Sequence, residues 1–66
     1  MQVKINGKIQ KLDRISSLYE FIMEKKLDLN KIVIEHNYNI VDKNKLSDIP
    51  INEGDIIEII SFVGGG

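Results

Sequence analysis

Sixty-six residues make one small domain, which buries only about 60% of the surface its unfolded chain exposes, and they leave no room for a deep catalytic cleft with its supporting shell. Nine basic and ten acidic side chains give a net charge of −1, so no strong field draws the chain to nucleic acid or to an anionic membrane. At 42% hydrophobic and 29% charged the chain is too apolar for disorder, and the absence of cysteine removes disulfides, thiolate metal ligands and thiol nucleophiles together.

The N-terminal segment Met1-Gln2-Val3-Lys4-Ile5 alternates in polarity, unlike a signal peptide, and apolar runs of two or three residues are too short to span a bilayer. A cytoplasmic, monomeric protein is expected. Val3 and Ile5, then Lys8 to Leu12, read as two strands of a hairpin around Asn6-Gly7. A three-residue loop, Ile5-Asn6-Gly7, with Gly7 left-handed and bulged, pairs Val3 with Ile9 and keeps both inside; that register is expected.

Ser17-Leu18-Tyr19-Glu20 is a capping box that opens a helix. Leu18, Phe21 and Ile22 form its apolar stripe. Glu24, Lys25 and Lys26 form its solvated face, with Leu27 and Leu29 closing its end over the core. Lys31 to Glu35 is β-branched and short, hence a strand. Asn37-Tyr38-Asn39 is turn chemistry, and Ile40-Val41 is a short returning strand. Residues 42–50 are polar and irregular, with one helical turn expected near Lys45-Leu46. Asn52-Glu53-Gly54-Asp55 is a tight turn that launches a last strand from Ile56 to Val63.

The order β-β-α-β-β-β describes an α+β fold, a mixed sheet wrapped on one helix, with the first and last strands adjacent and parallel. This is the ubiquitin-like β-grasp arrangement. Residues 1–63 are expected to form the domain and 64–66 a flexible tail.

Side-chain chemistry is sparse. His36, the single histidine, reads as a surface or half-buried structural residue. Asp42, Asp48, Glu53, Asp55 and Glu58 lack calcium-loop spacing and read as solvated loop and strand residues. Lysines 25, 26, 43 and 45 are scattered among acids, and Tyr19, Phe21, Tyr38 and Phe62 are too dispersed to stack bases. Neither catalytic residues nor a metal site is expected.

The C-terminus is distinctive. Gly64-Gly65-Gly66 follows the last strand with no spacer and no helix after it, which excludes a phosphate-cradling loop. What remains is an arm without side chains, reaching roughly 10 Å and ending in a carboxylate. Such an arm threads a narrow slot. A frayed, unselected end is the competing reading of the glycines alone.

Val3-Lys4-Ile5-Asn6-Gly7, Ile32-Val33-Ile34-Glu35, Ile40-Val41, Glu53-Gly54-Asp55, Ile57-Glu58-Ile59 and the terminal Val63-Gly64-Gly65-Gly66 together resemble the ThiS family, the ubiquitin-like sulfur carriers of thiamine biosynthesis, from end to end. Two departures are visible. Tyr38 and Asn39 replace that family's Asn-Gly hairpin turn, and no glycine ends the helix at Lys26-Leu27-Asp28.

The resemblance implies a protein cosubstrate rather than an enzyme, with no bound cofactor. A ThiF-type adenylating partner would consume ATP to activate the Gly66 carboxylate. Sulfur from a cysteine desulfurase persulfide would convert it to a thiocarboxylate, and a ThiG-type thiazole synthase would take the sulfur into the thiazole ring. The rivals are a molybdopterin-synthase small subunit, a protein-conjugating modifier and a non-covalent β-grasp interaction module. Alternation along the last strand, with Ile57 and Ile59 inward, places Ile56, Glu58, Ile60 and Phe62 on the other face. With Val63 these are the expected partner-docking residues.

Overall fold

The computed structural model describes residues 1–13 and 17–62. Its elements are β1 (Gln2–Ile5), β2 (Lys8–Lys11), α1 (Leu18–Glu24), β3 (Ile32–His36), β4 (Asn39–Ile40) and β5 (Ile56–Ser61). Short 3-10 helices occupy Leu29–Lys31 and Lys43–Asp48, the second where one helical turn was expected. The strands make a mixed sheet in the order β2-β1-β5-β3-β4. β1 and β5 run parallel at its centre, and the remaining neighbours are antiparallel. Parallel neighbours require a crossover, and α1 lies within it. This is the β-grasp arrangement.

The helix begins where Ser17 Oγ accepts the backbone N–H of Glu20 at 3.2 Å. Leu18, Phe21 and Ile22 are buried against Val3, Ile5, Ile34 and Ile57 of the sheet, with Leu46 and Ile51 closing the same core. Its C-terminus is built without glycine. The N–H of Lys26 bonds the carbonyl of Met23 at 3.0 Å and that of Leu27 bonds Ile22 at 3.4 Å. This is the paired pattern in which the residue after the cap turns left-handed. Lys26 holds that position at φ 58°, at the steric cost of a Cβ.

The first hairpin departs from the expected register. Ile5 pairs with Lys8 and Lys4 with Ile9, so Asn6-Gly7 is a two-residue turn and the bulged three-residue loop does not form. Both turn residues have positive φ, 49° and 82°, the mirror-type turn whose twist matches that of the strands. Ile9 therefore points outward, 68% exposed, and Leu12 supplies the inward apolar group of this segment. The β3–β4 hairpin repeats the device with Asn37 and Tyr38 at φ 51° and 73°. β3 and β4 each lie one residue away from their expected bounds.

Asp55 was expected to be a solvated loop residue. It is instead 7% exposed. Its Oδ2 lies 2.7 Å from His36 Nε2 and accepts the N–H of Asn52 at 2.9 Å, while Oδ1 accepts from Asn37 Nδ2 at 3.2 Å. Asn37 in turn accepts the N–H of Ile56 on its Oδ1 at 2.9 Å. The carboxylate thus ties the end of β3 to the turn before β5. Burial acts to raise its pKa, but the Asn52 N–H and the His36 and Asn37 side chains outweigh burial and hold it below the usual carboxylate value.

Two outcomes are expected. Lys26→Gly removes the left-handed strain and raises stability by about 0.5–1 kcal/mol in denaturant melts. Because the folded Asp55 pKa is lowered, its contribution is complete above the unfolded value of ~4 and is lost as pH falls through the folded value. Asp55→Asn should therefore lose about 1–3 kcal/mol at neutral pH. It should also show a flatter loss of stability on acidification than the parent, measured by melts between neutral and acid pH.

Candidate functional site

Alternation along β5 sets two faces. Ile57 is fully buried and Ile59 packs on the core cluster. Ile56, Glu58 and Ile60 occupy the opposite, outer face, with Phe62 just beyond the strand. Ile60 is 46% exposed and Phe62 55% exposed. Ile56 and Glu58 are half-buried. Val63, Gly64, Gly65 and Gly66 lie outside the described residues.

The strand is held almost to its end on both sides. Toward β3, Ser61 pairs with Ile32, and the Phe62 N–H donates to the Lys31 carbonyl at 3.2 Å. Toward β1, where the partner strand has already turned away, the Asn6 side chain continues the ladder. Its Oδ1 accepts the Ile59 N–H at 2.7 Å. Phe62 is therefore tied to the sheet at the end of its central strand.

Neighbouring strands enlarge the outer face. Val33 pairs with Ile60 and Glu35 with Glu58. Glu35 pairs on its other side with Ile40 of β4, which is 73% exposed. On the far side Lys4 lies beside Ile56 and Ile9 beside Lys4. Residues 42–50 leave most of this face open. Leu46 is buried in the core, the Lys43–Asp48 helix packs on α1, and Ile49 accepts the Leu18 N–H at 2.9 Å. Only Lys43 reaches round, with Nζ 5.4 Å from the centre of the Phe62 ring.

Val33, Glu35, Ile40 and Ile9 are members of this face that reading β5 alone misses. Alternation in β3 around the inward Ile34 carries the signal for Val33 and Glu35. For Ile9 the signal was hidden by the hairpin register. A shallow hollow of about 260 Å³ lies between Ile9, Ile56 and Glu53, at the start of β5. It is some six residues, roughly 20 Å, from Phe62 along the strand.

The titratable groups elsewhere are structural. His36 is half-buried and engaged by Asp55, and Asp42 and Asp28 cap the two 3-10 helices. Among the described residues no group of three or more His, Asp or Glu is placed to hold a metal ion, and no helix is long and apolar enough to cross a membrane. The arrangement leaves a largely apolar outer face beside Phe62, the last described residue.

The ThiS family model matches residues 3–66 of the chain. A thiazole synthase of Paramagnetospirillum magneticum is 32% identical over 66 residues, a match that takes in 100% of this chain and 20% of that protein. The chain thus spans only a fifth of that relative's length. The sulfur carrier protein ThiS of Bacillus subtilis is 28% identical over 65 residues, covering 97% of this chain and 98% of that one. The crystal structure of the thiamine biosynthesis protein ThiS from Geobacter metallireducens is similar with a TM-score of 0.84 at 25% identity, covering 100% of both chains. A solution structure of a thiamine biosynthesis protein from the same organism gives 0.80, covering 88% of that chain. With its residues matched nearly end to end and its five-stranded sheet and single helix superimposing on theirs, this chain belongs to the ThiS family.

Proposed function

We propose that the chain is a sulfur carrier of thiamine biosynthesis, and that the Gly66 carboxylate is its one reacting group. The observation that supports this reading is the anchoring of Phe62, the last described residue before the glycines in sequence. Gly64-Gly65-Gly66 stands four residues or fewer beyond Phe62, whose amide is the last fixed point of a central strand, beside an exposed apolar face. The base is rigid and the arm is free of side chains, so a partner that grips the face can lead the carboxylate into a narrow slot.

The chemistry follows from the carboxylate. It is inert as an acyl donor until an adenylating partner of the ThiF type uses ATP to make the acyl-adenylate, releasing pyrophosphate. A persulfide sulfur from a cysteine desulfurase then attacks the carbonyl and displaces AMP. A thiol reductant cleaves the resulting acyl disulfide to free the thiocarboxylate, which donates sulfur to a ThiG-type thiazole synthase. The carrier is a cosubstrate in these steps, holding no cofactor of its own, and the cytoplasm supplies ATP and reduced thiols. Ile56, Glu58, Ile60, Phe62 and Val63 are its docking residues.

Two measurements test the reading. Removing Gly65 and Gly66 withdraws the carboxylate by roughly 7 Å. The truncated chain should melt within about 0.5 kcal/mol of the parent, yet lose ATP–pyrophosphate exchange with the adenylating enzyme. Continued exchange by the truncated chain would leave a non-covalent interaction module as the better description. Separately, Ile60→Asp should weaken binding to the adenylating enzyme by about tenfold or more, in line with the loss of a buried apolar contact, with a thermal midpoint close to the parent's. A large fall in the midpoint would make Ile60 a core residue.

A further inference from the structure

The outer face carries a pair of charges that the fold does not use. Glu35 of β3 and Glu58 of β5 are direct cross-strand partners, which places their Cβ atoms about 5 Å apart, and like charges in that position oppose folding. Both side chains are half-buried. Neither has an ion-pair partner among the described residues, where the one pair is His36–Asp55. Lys43 sits over Phe62, and Lys4, in register with Ile56, forms no ion pair with either glutamate among the described residues.

The pair is set in apolar surroundings. Val33 and Ile60 adjoin it toward the tail, Ile40 lies beside Glu35, and Ile56 follows on β5. This combination decides what can cover the face. A purely apolar partner would strip water from two anions and return nothing. A second copy of the chain, docked face to face about a two-fold axis, would bring four carboxylates together. An apolar surface with a basic side chain at its centre satisfies both the isoleucines and the glutamates. A guanidinium suits it best, because its planar fork donates to two carboxylates at once.

We propose that Glu35 and Glu58 form the seat of an arginine side chain of thiazole synthase, at the centre of an apolar contact made by the outer sheet face. The proposal rests on the sulfur-carrier reading and names the partner of that same surface. Two observations favour this partner. Glu58 lies four residues before Phe62, roughly 13 Å along the strand, so a protein that receives the tail also overlies the pair. A thiazole synthase relative contains a segment matching 100% of this chain within its own polypeptide. Such tethering holds the two parts at high effective concentration.

The test is the affinity of the full chain for purified thiazole synthase, at low and at high salt, with Glu35→Gln, Glu58→Gln and the double variant. Binding by the double variant is expected to be weaker by about tenfold or more at low salt, with much of the salt dependence gone and the single variants between. Its thermal midpoint is expected to equal or exceed the parent's, because the repulsion is removed. A structural role for the glutamates would lower both together and overturns the proposal. Unchanged affinity in the double variant overturns it as well, as does a parent chain that does not bind the synthase. Intact-mass measurement of sulfur loading on the parent keeps the two ideas apart. A loaded carrier whose binding ignores the glutamates defeats only the arginine seat, whereas a chain that never accepts sulfur defeats the carrier reading.

Discussion

The position of β5 between β1 and β3 governs the rest of the molecule. β5 is last in the chain and central in the sheet, and it runs parallel to β1; parallel strands cannot be joined by a tight turn. The crossover that results contains α1, whose Leu18, Phe21 and Ile22 fill the concave side. A seven-residue helix is too short to persist alone in water, so helix and sheet depend on each other. Two asparagine side chains and one backbone carbonyl extend this pairing where strands run out. Asn6 takes the Ile59 N–H, Asn37 takes the Ile56 N–H, and the Asp55 carbonyl takes the Lys4 N–H. β5 is thereby held on both sides.

Fixing β5 has a consequence for recognition. A chain of this size cannot afford to bury both faces of its sheet, and one helix covers only one of them. The uncovered face keeps Ile9, Ile40, Ile60 and Phe62 in solvent. An opposed glutamate pair stands among them. Hydrophobic exposure and like-charge repulsion each cost stability in the free protein. Both costs are relieved under a surface that is apolar around a basic centre, and the pair discourages the face from closing on itself. The inner face is committed to folding, and the proposed function gives the outer one to contact.

Much of this was legible in the residues. Ser17 to Glu20, with Leu18, Phe21 and Ile22, states a helix start and its buried stripe in local code. Alternation in β5 states which side of the last strand faces out. Failures arose where the deciding partner is distant or the backbone conformation unusual. An inward Ile9 requires the bulged three-residue loop Ile5-Asn6-Gly7, which would pair it with Val3. The Asn6-Gly7 pair instead adopts a two-residue turn, and Leu12, at the end of the strand, takes the inward position. Asp55 read as solvated because its partners His36 and Asn37 lie far back in the chain. The Glu35–Glu58 pairing needs the β3–β5 register, which no local pattern encodes. Lys26 shows the converse, since the absence of glycine after α1 was visible but the left-handed turn formed nonetheless.

The central claim is that sulfur rides on the terminal carbonyl of this chain. It is tested most directly by supplying isotopically labelled cysteine to the chain with desulfurase, adenylating enzyme, ATP and reductant, then sequencing its C-terminal peptide by mass spectrometry. The account predicts a single labelled sulfur replacing one oxygen of Gly66, with its appearance dependent on ATP. Label at any other residue, or a Gly66 that stays a plain carboxylate while the enzymes are active, would contradict it.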